Sequence, residues 1–367
     1  MNDSRSTQPA IHLRQFRSGC CWSYVLWDRA PGACIVVDPC VELMSDYRAF
    51  IAERGLKVVM AVDTQLHPDR LSATHLFHAE YGAPIAMSEA TSSQRVHHKL
   101  KDGEEIELGS SKLQALGTPG IAPDGISIAS SSWVLTGHLL PVGGRASVYS
   151  GTDFPELVRS WNEVLVKLPD ATLIFPGRDS GDLLFSTVGT EKAKNRYLRL
   201  RSPEELRSLI FDQPEIPRLG SAADQEACLA FNREVAPQVI PLLDPATDAS
   251  APNTNSIPSI SVAKLVKKLG KASTEALIDI REPDDFATGW ISSSLNIPLS
   301  ELPFRYQELK RFNRVYVASL SGSRGDWRGP ATVRTLAYLG LPDVIAVEGG
   351  VRGWIQFGYP LEGAKSR

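Results

Sequence analysis

Several features of common protein classes are missing from this sequence. No cysteine follows Cys228, and the five cysteines of the 367-residue chain show no CxxC spacing, which excludes a zinc knuckle and a disulfide scaffold. No run of about 18 apolar residues occurs, and the polar start MNDSRSTQPA lacks the apolar core of a signal peptide. We therefore expect a cytoplasmic protein without a membrane segment.

The chain also lacks an excess of charge of one sign. Its 39 Lys and Arg residues and 42 Asp and Glu residues give a formal net charge of −3, and its pI is about 6.2. Such a balance produces no field that would attract nucleic acid or an anionic membrane. A small molecule or another protein is the expected partner.

The length and composition of the sequence are those of a soluble protein with two globular domains. Its length exceeds that of one typical core, and 43% of its residues are hydrophobic, which is enough to bury a full core. Short β-branched runs alternate with amphipathic stretches, as at 34–38, 43–54 and 58–63, and this pattern is typical of an α/β layer fold.

A segment rich in Pro, Ala, Ser, Thr and Asn at 244–259 predicts a linker between domains at 11–243 and 260–363. The second domain alternates predicted strands and helices, which indicates a small parallel sheet. Its predicted elements are a helix at 262–269, strands at 276–280 and 315–318, a helix at 330–339 and a strand at 344–347.

The motif DTQLHPDR at 63–70 directly follows a predicted strand, and further loop motifs succeed it. These are TPG at 118–120, TG at 136–137, GGR at 143–145, PG at 176–177 and STVG at 186–189. In order and spacing they resemble the loops of the glutathione persulfide dioxygenases of the metallo-β-lactamase superfamily, over roughly residues 11–240. The resemblance implies an N-terminal αββα sandwich and a single iron ion held by three loop residues.

The resemblance places those three iron ligands at Gln65, Ile121 and His138. A hydrocarbon side chain cannot coordinate a metal, and an amide oxygen is a poor ligand for Fe(II). Arg70 and Arg178 stand where relatives carry further histidines, and their positive charge opposes the binding of a cation. We therefore expect no cofactor at the implied site.

Three side chains of the same cleft remain possible ligands. His67, Asp69 and His138 should project from loops that meet at one end of the sandwich, and two imidazoles with a carboxylate form a recognised iron set. They would bind iron or zinc only if the site has been rewired. Otherwise they are hydrogen-bonded polar residues that fill the pocket.

Anion binding is a different use of the cleft. Arg70, Arg145 and Arg178 lie on its predicted loops, and guanidinium groups bind carboxylates and sulfur oxyanions through paired hydrogen bonds. The resemblance places Arg145 near the thiol substrate. Solvated surface arginines are the other interpretation of these residues.

The C-terminal region contains LIDIREPDDF at 277–286, LNIP at 295–298 and VEGGVRGW at 347–354. These motifs resemble a single rhodanese domain over 274–361, which implies a small α/β domain with a parallel sheet. Active rhodanese domains carry sulfane sulfur on a cysteine that opens a CxxGxR loop. Here the loop reads SLSGSR at 319–324, so the resemblance implies that the sulfur carrier is missing.

The rest of this loop still predicts an anion site, because inward-facing amides and an arginine bind anions without the first side chain. The candidate residues are Ser319, Ser321, Gly322, Ser323 and Arg324. The insertion GDWRGP at 325–330 changes what supports the loop. A hydrolytic serine would need a base, and the domain contains no histidine.

We predict a catalytically degenerate persulfide dioxygenase–rhodanese fusion that binds or regulates in thiol or persulfide metabolism. Its expected partners are a small anionic, thiol or persulfide ligand, or a protein, and the resemblance implies a homodimer. The alternative is an enzyme with altered chemistry on a thiol, persulfide or thiocarboxylate-like compound in a specialised biosynthetic pathway. It would use His67, Asp69, His138 and Arg145, with His138 as general base.

Overall fold

The structure, a computed structural model, describes residues 11–28, 32–144, 149, 151–178, 182–200, 202–211, 222–234, 257–269, 274–321 and 326–363. The N-terminal unit comprises Pro9–Gly181 and Phe185–Ala251, and the C-terminal unit comprises Pro252–Arg367 with Met1–Gln8 and Asp182–Leu184. The predicted linker lies outside the described residues up to position 256, and the predicted domain bounds stay a prediction. Within the described ranges, no helix is long and apolar enough to cross a membrane.

The described strands of the N-terminal unit form two sheets. The first has the order β1-β2-β3-β4-β5-β6, with β1 Ile11–Ser18, β2 Cys21–Asp28, β3 Ala33–Val37, β4 Lys57–Val62, β5 Ile85–Ser88 and β6 His98–Leu100. The second has the order β12-β11-β10-β9-β8-β7, with β7 Glu105–Leu108, β8 Ser111–Gly117, β9 Ile126–Ala129, β10 Trp133–Leu135, β11 Leu173–Phe175 and β12 Ser186–Thr187.

The helices of this unit are α1 Met44–Glu53, α2 Thr74–Tyr81, α3 Phe154–Arg159, α4 Val188–Lys194, α5 Pro203–Phe211 and α6 Ala222–Arg233. Short 3-10 or π turns cover Val41–Leu43, Ser160–Val164, Leu165–Lys167 and Tyr197–Arg199. Tyr47 of α1 and Phe77 of α2 belong to the same buried cluster as Val36 of β3, so both helices pack against the first sheet. Tyr24 of that sheet contacts Phe175 of the second, with ring centroids 6.2 Å apart. This is the layered α/β arrangement that the sequence predicts.

Parallel pairing decides where the loops of the site lie. β3 pairs in parallel with β4, and β10 pairs in parallel with β11. All four strands are apolar and mostly buried, because layers cover them on both faces. Buried polar side chains such as those of Asp38 and Asp63 instead come from the residues that follow these strands.

The C-terminal unit contains the predicted parallel sheet. Its order is β13-β17-β16-β14-β15, with β13 Ser259–Ile260, β14 Glu275–Asp279, β15 Ser294–Asn296, β16 Arg314–Ala318 and β17 Val344–Val347. Its helices are α7 Val262–Val266, α8 Pro283–Ala287, α9 Leu302–Arg305, α10 Arg328–Tyr338 and α11 Gly350–Gln356, with a 3-10 turn at Tyr306–Arg311. Leu277, Tyr316 and Trp354 belong to its buried core. The helix predicted at 262–269 ends early, and the one predicted from 330 begins at Arg328.

Candidate functional site

The candidate site of the N-terminal unit lies at the carboxyl ends of the buried strands. Asp38 follows β3, the 63–70 loop follows β4, His138 lies just beyond β10, and Arg178 lies just beyond β11. Because the carboxyl ends of neighbouring parallel strands lie at one edge of a sheet, loops distant in sequence meet there. In this arrangement, residues more than 100 positions apart come into contact.

The structure brings the three predicted ligands His67, Asp69 and His138 together. One possible ligand atom from each lies within 4.8 Å of the others. His67 Nδ1 is 3.9 Å from one oxygen of Asp69, and His138 Nε2 is 3.9 Å from the other. His67 is fully buried and His138 is 7% exposed, so the group lies inside the unit and not on an open surface.

Arg70 extends into the centre of this group. Its side chain is buried, and its guanidinium donates to the backbone oxygens of Trp22 and Gly177, both at 3.0 Å. A further nitrogen contact, at 2.6 Å, is made with Nε2 of His138. A buried charge without partners would be costly, and these contacts supply the partners. Arg70 is thus part of the interior of the unit.

The contacts of His138 determine its protonation. A guanidinium group has no acceptor, so Nε2 of His138 must carry the lone pair that accepts from Arg70. In the neutral ring Nδ1 then carries the proton, and it lies 2.6 Å from the hydroxyl of Tyr149 and 3.2 Å from Nε2 of Gln65. Burial, together with the charge of Arg70, lowers the pKa of His138 well below its usual value. The ring is neutral at physiological pH.

Asp69 is the counterion of two arginines. Nη1 of Arg178 lies 2.5 Å from one carboxylate oxygen, and Nε of Arg70 lies 3.8 Å from the other. Burial opposes the ionisation of Asp69, but His138 and the two guanidinium groups hold its pKa well below the usual range. Two of the three arginines of the predicted anion site, Arg70 and Arg178, are therefore paired with groups of the protein. The third, Arg145, lies outside the described residues, and the anion site stays a prediction.

A second group of possible ligands surrounds the other nitrogen of His67. Its Nε2 lies 3.0 Å from Asp38 and 3.7 Å from Asp63. Asp38 also accepts from Thr64, and although burial opposes its ionisation, His67 is the main cause that lowers its pKa to about 2. Burial raises the pKa of Asp63 to about 6. The acidic strand ends were visible in the sequence, but their contact with His67 was not predicted.

The residues at the implied iron positions do not suit that ion. Ile121 is buried and has no ligand atom, and Gln65 directs its amide toward His138. The Nε2 lone pair of His138 accepts from a cation already in place. Among the described residues, two groups have the spacing that a metal ion requires, His67 with Asp69 and His138, and His67 with Asp38 and Asp63. In the first group, Asp69 neutralises both Arg70 and Arg178, so a metal ion bound there would have to displace these contacts.

Cys20, Cys21 and Cys40 pack together beside this cluster and are buried. The sulfur of Cys21 lies 3.5 Å from a carboxylate oxygen of Asp69. The contact with Cys20 and burial raise the pKa of Cys21 well above its usual value, and burial raises that of Cys40 to about 12. The thiols of Cys21 and Cys40 are therefore protonated at neutral pH, and all three cysteines are buried as core residues are.

In the C-terminal unit, Ser319 follows β16 and is buried. Beyond it, the side chain of Asp326 turns back into the loop. It accepts from the backbone nitrogen and hydroxyl of Ser321, at 3.3 and 3.4 Å, and from Nε of Arg328 at 2.9 Å. Gly322, Ser323 and Arg324 lie outside the described residues, so the predicted anion site stays a prediction. The insertion was visible in the sequence, but the position of its carboxylate was not.

The charged pair Arg281 and Asp279 of this unit has a structural role. Arg281 contacts the fully buried carboxylate of Asp279 at 2.7 Å and also donates to the backbone oxygens of Asp285 and Gly289. This arrangement ties the end of β14 to α8 and the turn after it.

Comparison with known proteins separates the two halves of the chain. Residues 261–357 match the rhodanese-like domain family. Over 223 residues, 58% of this chain, the sequence is 28% identical to the mitochondrial persulfide dioxygenase ETHE1 of Bos taurus and covers 85% of that protein. The human protein of the same name is 29% identical over 205 residues, with 53% of this chain and 78% of that protein covered.

Two solved structures are similar to parts of different length of this chain. The ETHE1 structure from Myxococcus xanthus superposes with a TM-score of 0.55 and 25% identity, covering 60% of this chain and 97% of that one. A metallo-β-lactamase from Staphylococcus aureus superposes with a TM-score of 0.55 and 20% identity, covering 92% of this chain and 99% of that one. At that identity the second comparison supports the fold alone.

Proposed function

Because the chain joins a metallo-β-lactamase-fold domain similar to persulfide dioxygenases to a rhodanese-like domain, we propose a catalytically degenerate fusion that acts in sulfur metabolism. In this proposal the protein binds a small anionic, thiol or persulfide ligand, or a protein, and regulates without turnover. The cytoplasm is its proposed compartment and a homodimer its proposed assembly. Its named relatives support a sulfur-related role.

One observation carries the proposal. The guanidinium of Arg70 lies 2.6 Å from Nε2 of His138, the single imidazole at the implied iron positions. A lone pair that accepts from a guanidinium cannot bind a metal at the same time. With Ile121 and Gln65 at the other two positions, the dioxygenase reaction lacks the ligands for its iron.

The second half of the chain supports the same conclusion independently. Ser319 takes the position of the sulfur-carrying cysteine, and a hydroxyl group cannot hold sulfane sulfur. No cysteine follows Cys228 that could replace it. The carboxylate of Asp326 contacts Ser321 in the same loop and would repel an anionic sulfur donor.

The alternative of an enzyme with altered chemistry has less support from these contacts. Both nitrogens of His138 are engaged, and its pKa lies well below neutral pH, so the ring is a weak general base. Asp69 is neutralised by Arg70 and Arg178. We therefore place catalysis second.

Two assays test the proposal on the purified full chain. Oxygen uptake with glutathione persulfide and cyanide-dependent formation of thiocyanate from thiosulfate should both remain at the rate without protein. In the first assay, the control variant is His67→Ala, which removes a candidate ligand of the cleft. In the second, it is Ser319→Cys, which places a cysteine at the position of the sulfur carrier. Robust oxygen uptake that is lost in His67→Ala would refute degeneracy. Binding without turnover should appear as a higher melting temperature with millimolar glutathione or thiosulfate.

A further inference from the structure

We infer that Arg70 replaces the metal ion of the pocket with a cation that belongs to the chain, and that removing its side chain creates a site for an external cation. This inference rests on the proposed function and explains how the pocket persists without iron. The external cation would be free guanidinium or a divalent metal ion such as zinc. Its ligands would be His67, Asp69 and His138.

The first argument is the position of Arg70 between the sheets. Its guanidinium donates to the backbone oxygen of Trp22 in β2, in the first sheet, and to that of Gly177, which follows β11 of the second sheet. It also lies 3.4 Å from the backbone oxygen of Asp38, after β3. One cation thus links three strand ends from two sheets. A metal ion joins separate segments in the same manner, through ligands that each segment supplies.

The second argument is the chemistry of its partners. Nε2 of His138, at 2.6 Å, and the carboxylate of Asp69, at 3.8 Å, are both groups that donate electron pairs to cations. Around Arg70 they are held at distances suited to a guanidinium. Without that group, the Nε2 lone pair of His138 would remain buried and unpaired, which is costly, and Asp69 would keep Arg178 as its cationic partner. Such a site binds a replacement cation.

The third argument comes from the atoms that remain without partners. His67 Nδ1, Asp69 Oδ1 and Arg70 Nε are buried and have no hydrogen-bond partner among the described residues. The Asp69 oxygen is 3.9 Å from His67 and 3.8 Å from Arg70. An N–H donor beside a carboxylate suits one bridging water molecule. A metal needs only electron-pair donors, so Arg70 must leave before a metal can bind.

Arg178 provides a matched control within the same cluster. It also carries a buried cation next to Asp69, at 2.5 Å, and it approaches from the loop after β11. No contact between Arg178 and a histidine nitrogen is found within the described ranges, whereas Arg70 contacts His138 directly. Arg178→Ala therefore removes one positive charge but leaves the lone pair of His138 occupied.

The experiment compares the full-length protein with Arg70→Ala and Arg178→Ala. Zinc affinity is measured by competition with a chelating dye, and zinc content by elemental analysis after dialysis. We expect about one equivalent of zinc in Arg70→Ala, with affinity at least tenfold above the unaltered protein. The unaltered protein and Arg178→Ala should retain less than about a tenth of an equivalent.

Thermal unfolding in guanidinium chloride provides a second readout. The melting temperature of Arg70→Ala should rise at 20 millimolar guanidinium chloride and remain unchanged in tetramethylammonium chloride, which is too large and donates no hydrogen bond. If Arg70→Ala is insoluble, Arg70→His takes its place in the zinc measurements. That variant adds an imidazole to the cluster and should also take up about one equivalent.

The inference is overturned if neither Arg70 variant binds zinc more tightly than the unaltered protein, or if the unaltered protein itself holds a full equivalent. Equal responses to the two salts in soluble Arg70→Ala would also contradict it. Failure of the proposed function would be recognised differently, because it would appear as oxygen uptake by the unaltered protein and not as a change in zinc binding.

Discussion

The loop after β4 in the N-terminal unit and the loop after β16 in the C-terminal unit each enclose a charged side chain of the chain itself. In the first loop the charge is the cation of Arg70, among groups that suit a metal ion. In the second it is the anion of Asp326, beside a loop that in active rhodanese domains holds anionic sulfur. In each unit, a charge of the chain lies where the family resemblance implies a ligand of the same sign.

Arg70 and Asp326 differ in how far along the chain their contact partners lie. Arg70 is 3% exposed and joins Trp22 with Gly177, from different sheets. Asp326 is bound by Ser321 and Arg328, within a few residues, and the side chain of Arg328 is 38% exposed. A cation that joins distant strands contributes to the whole unit, whereas a local carboxylate mainly orders one loop and the start of α10. The comparison therefore predicts unequal costs of removal.

The largest effect is expected from Asp69→Asn. This change leaves the buried cations of Arg70 and Arg178 without their common counterion, which costs about 3–5 kcal/mol. Urea unfolding of the full chain measures this effect, and it is monitored through a spectroscopic signal that reports on the N-terminal unit. Asp170→Asn is the control, since its exposed pair with Lys192 should change stability by less than about 0.5 kcal/mol. Equal effects of the two changes would contradict the comparison.

The next effect is a dependence on pH that only the N-terminal cluster should show. Burial raises the pKa of Asp63 from its usual 3.8 to about 6. Between these values the unfolded chain releases the proton while the folded state keeps it, so stability falls as pH rises, by up to about 3 kcal/mol. Asp63→Asn should therefore gain stability relative to the unaltered protein between about pH 4 and pH 6.

The same titration distinguishes the C-terminal unit. Burial opposes the ionisation of Asp326, but the hydrogen bond and charge of Arg328 lower its pKa below the usual value. Its contribution is present above the unfolded pKa and is lost only in more acidic solution. Calorimetry of the full chain from about pH 2 to pH 7 checks both trends. A constant difference between Asp63→Asn and the unaltered protein would refute the first.

The smallest effect is expected from Asp326→Asn. The amide keeps an acceptor for Ser321 but loses the charge that pairs with Arg328, so the cost should be about 1 kcal/mol. Thermal unfolding of the full chain, followed in the C-terminal unit, measures it, with the exposed Glu308→Gln as control. A loss as large as that of Asp69→Asn would show that the carboxylate orders more than its own loop.

The sequence predicted most of the architecture and part of the site. The strands around 34–38, 58–63 and 315–318 could be predicted because they are short, apolar and bounded by polar residues. The meeting of His67, Asp69 and His138 followed from loops at the same strand ends. These features depend on local patterns, which a single sequence contains.

The contacts that fill the two pockets could not be predicted. That Arg70 points inward, and not toward solvent, depends on carbonyl groups of Trp22 and Gly177, far away in the chain. Tyr149 was missed because no sequence pattern indicates that its hydroxyl reaches His138. Asp326 lies in an insertion whose path no periodic pattern specifies. Tertiary contacts decide each of these positions.

The covalent attachment of the Arg70 cation has a consequence for the cell. A metal ion must be acquired from a limited supply, and it can be lost to chelators or changed by oxidation. A guanidinium group is present in every copy once translation is complete, and it stays charged at any physiological pH. In our proposal, the fold around this pocket therefore does not depend on a supply of iron.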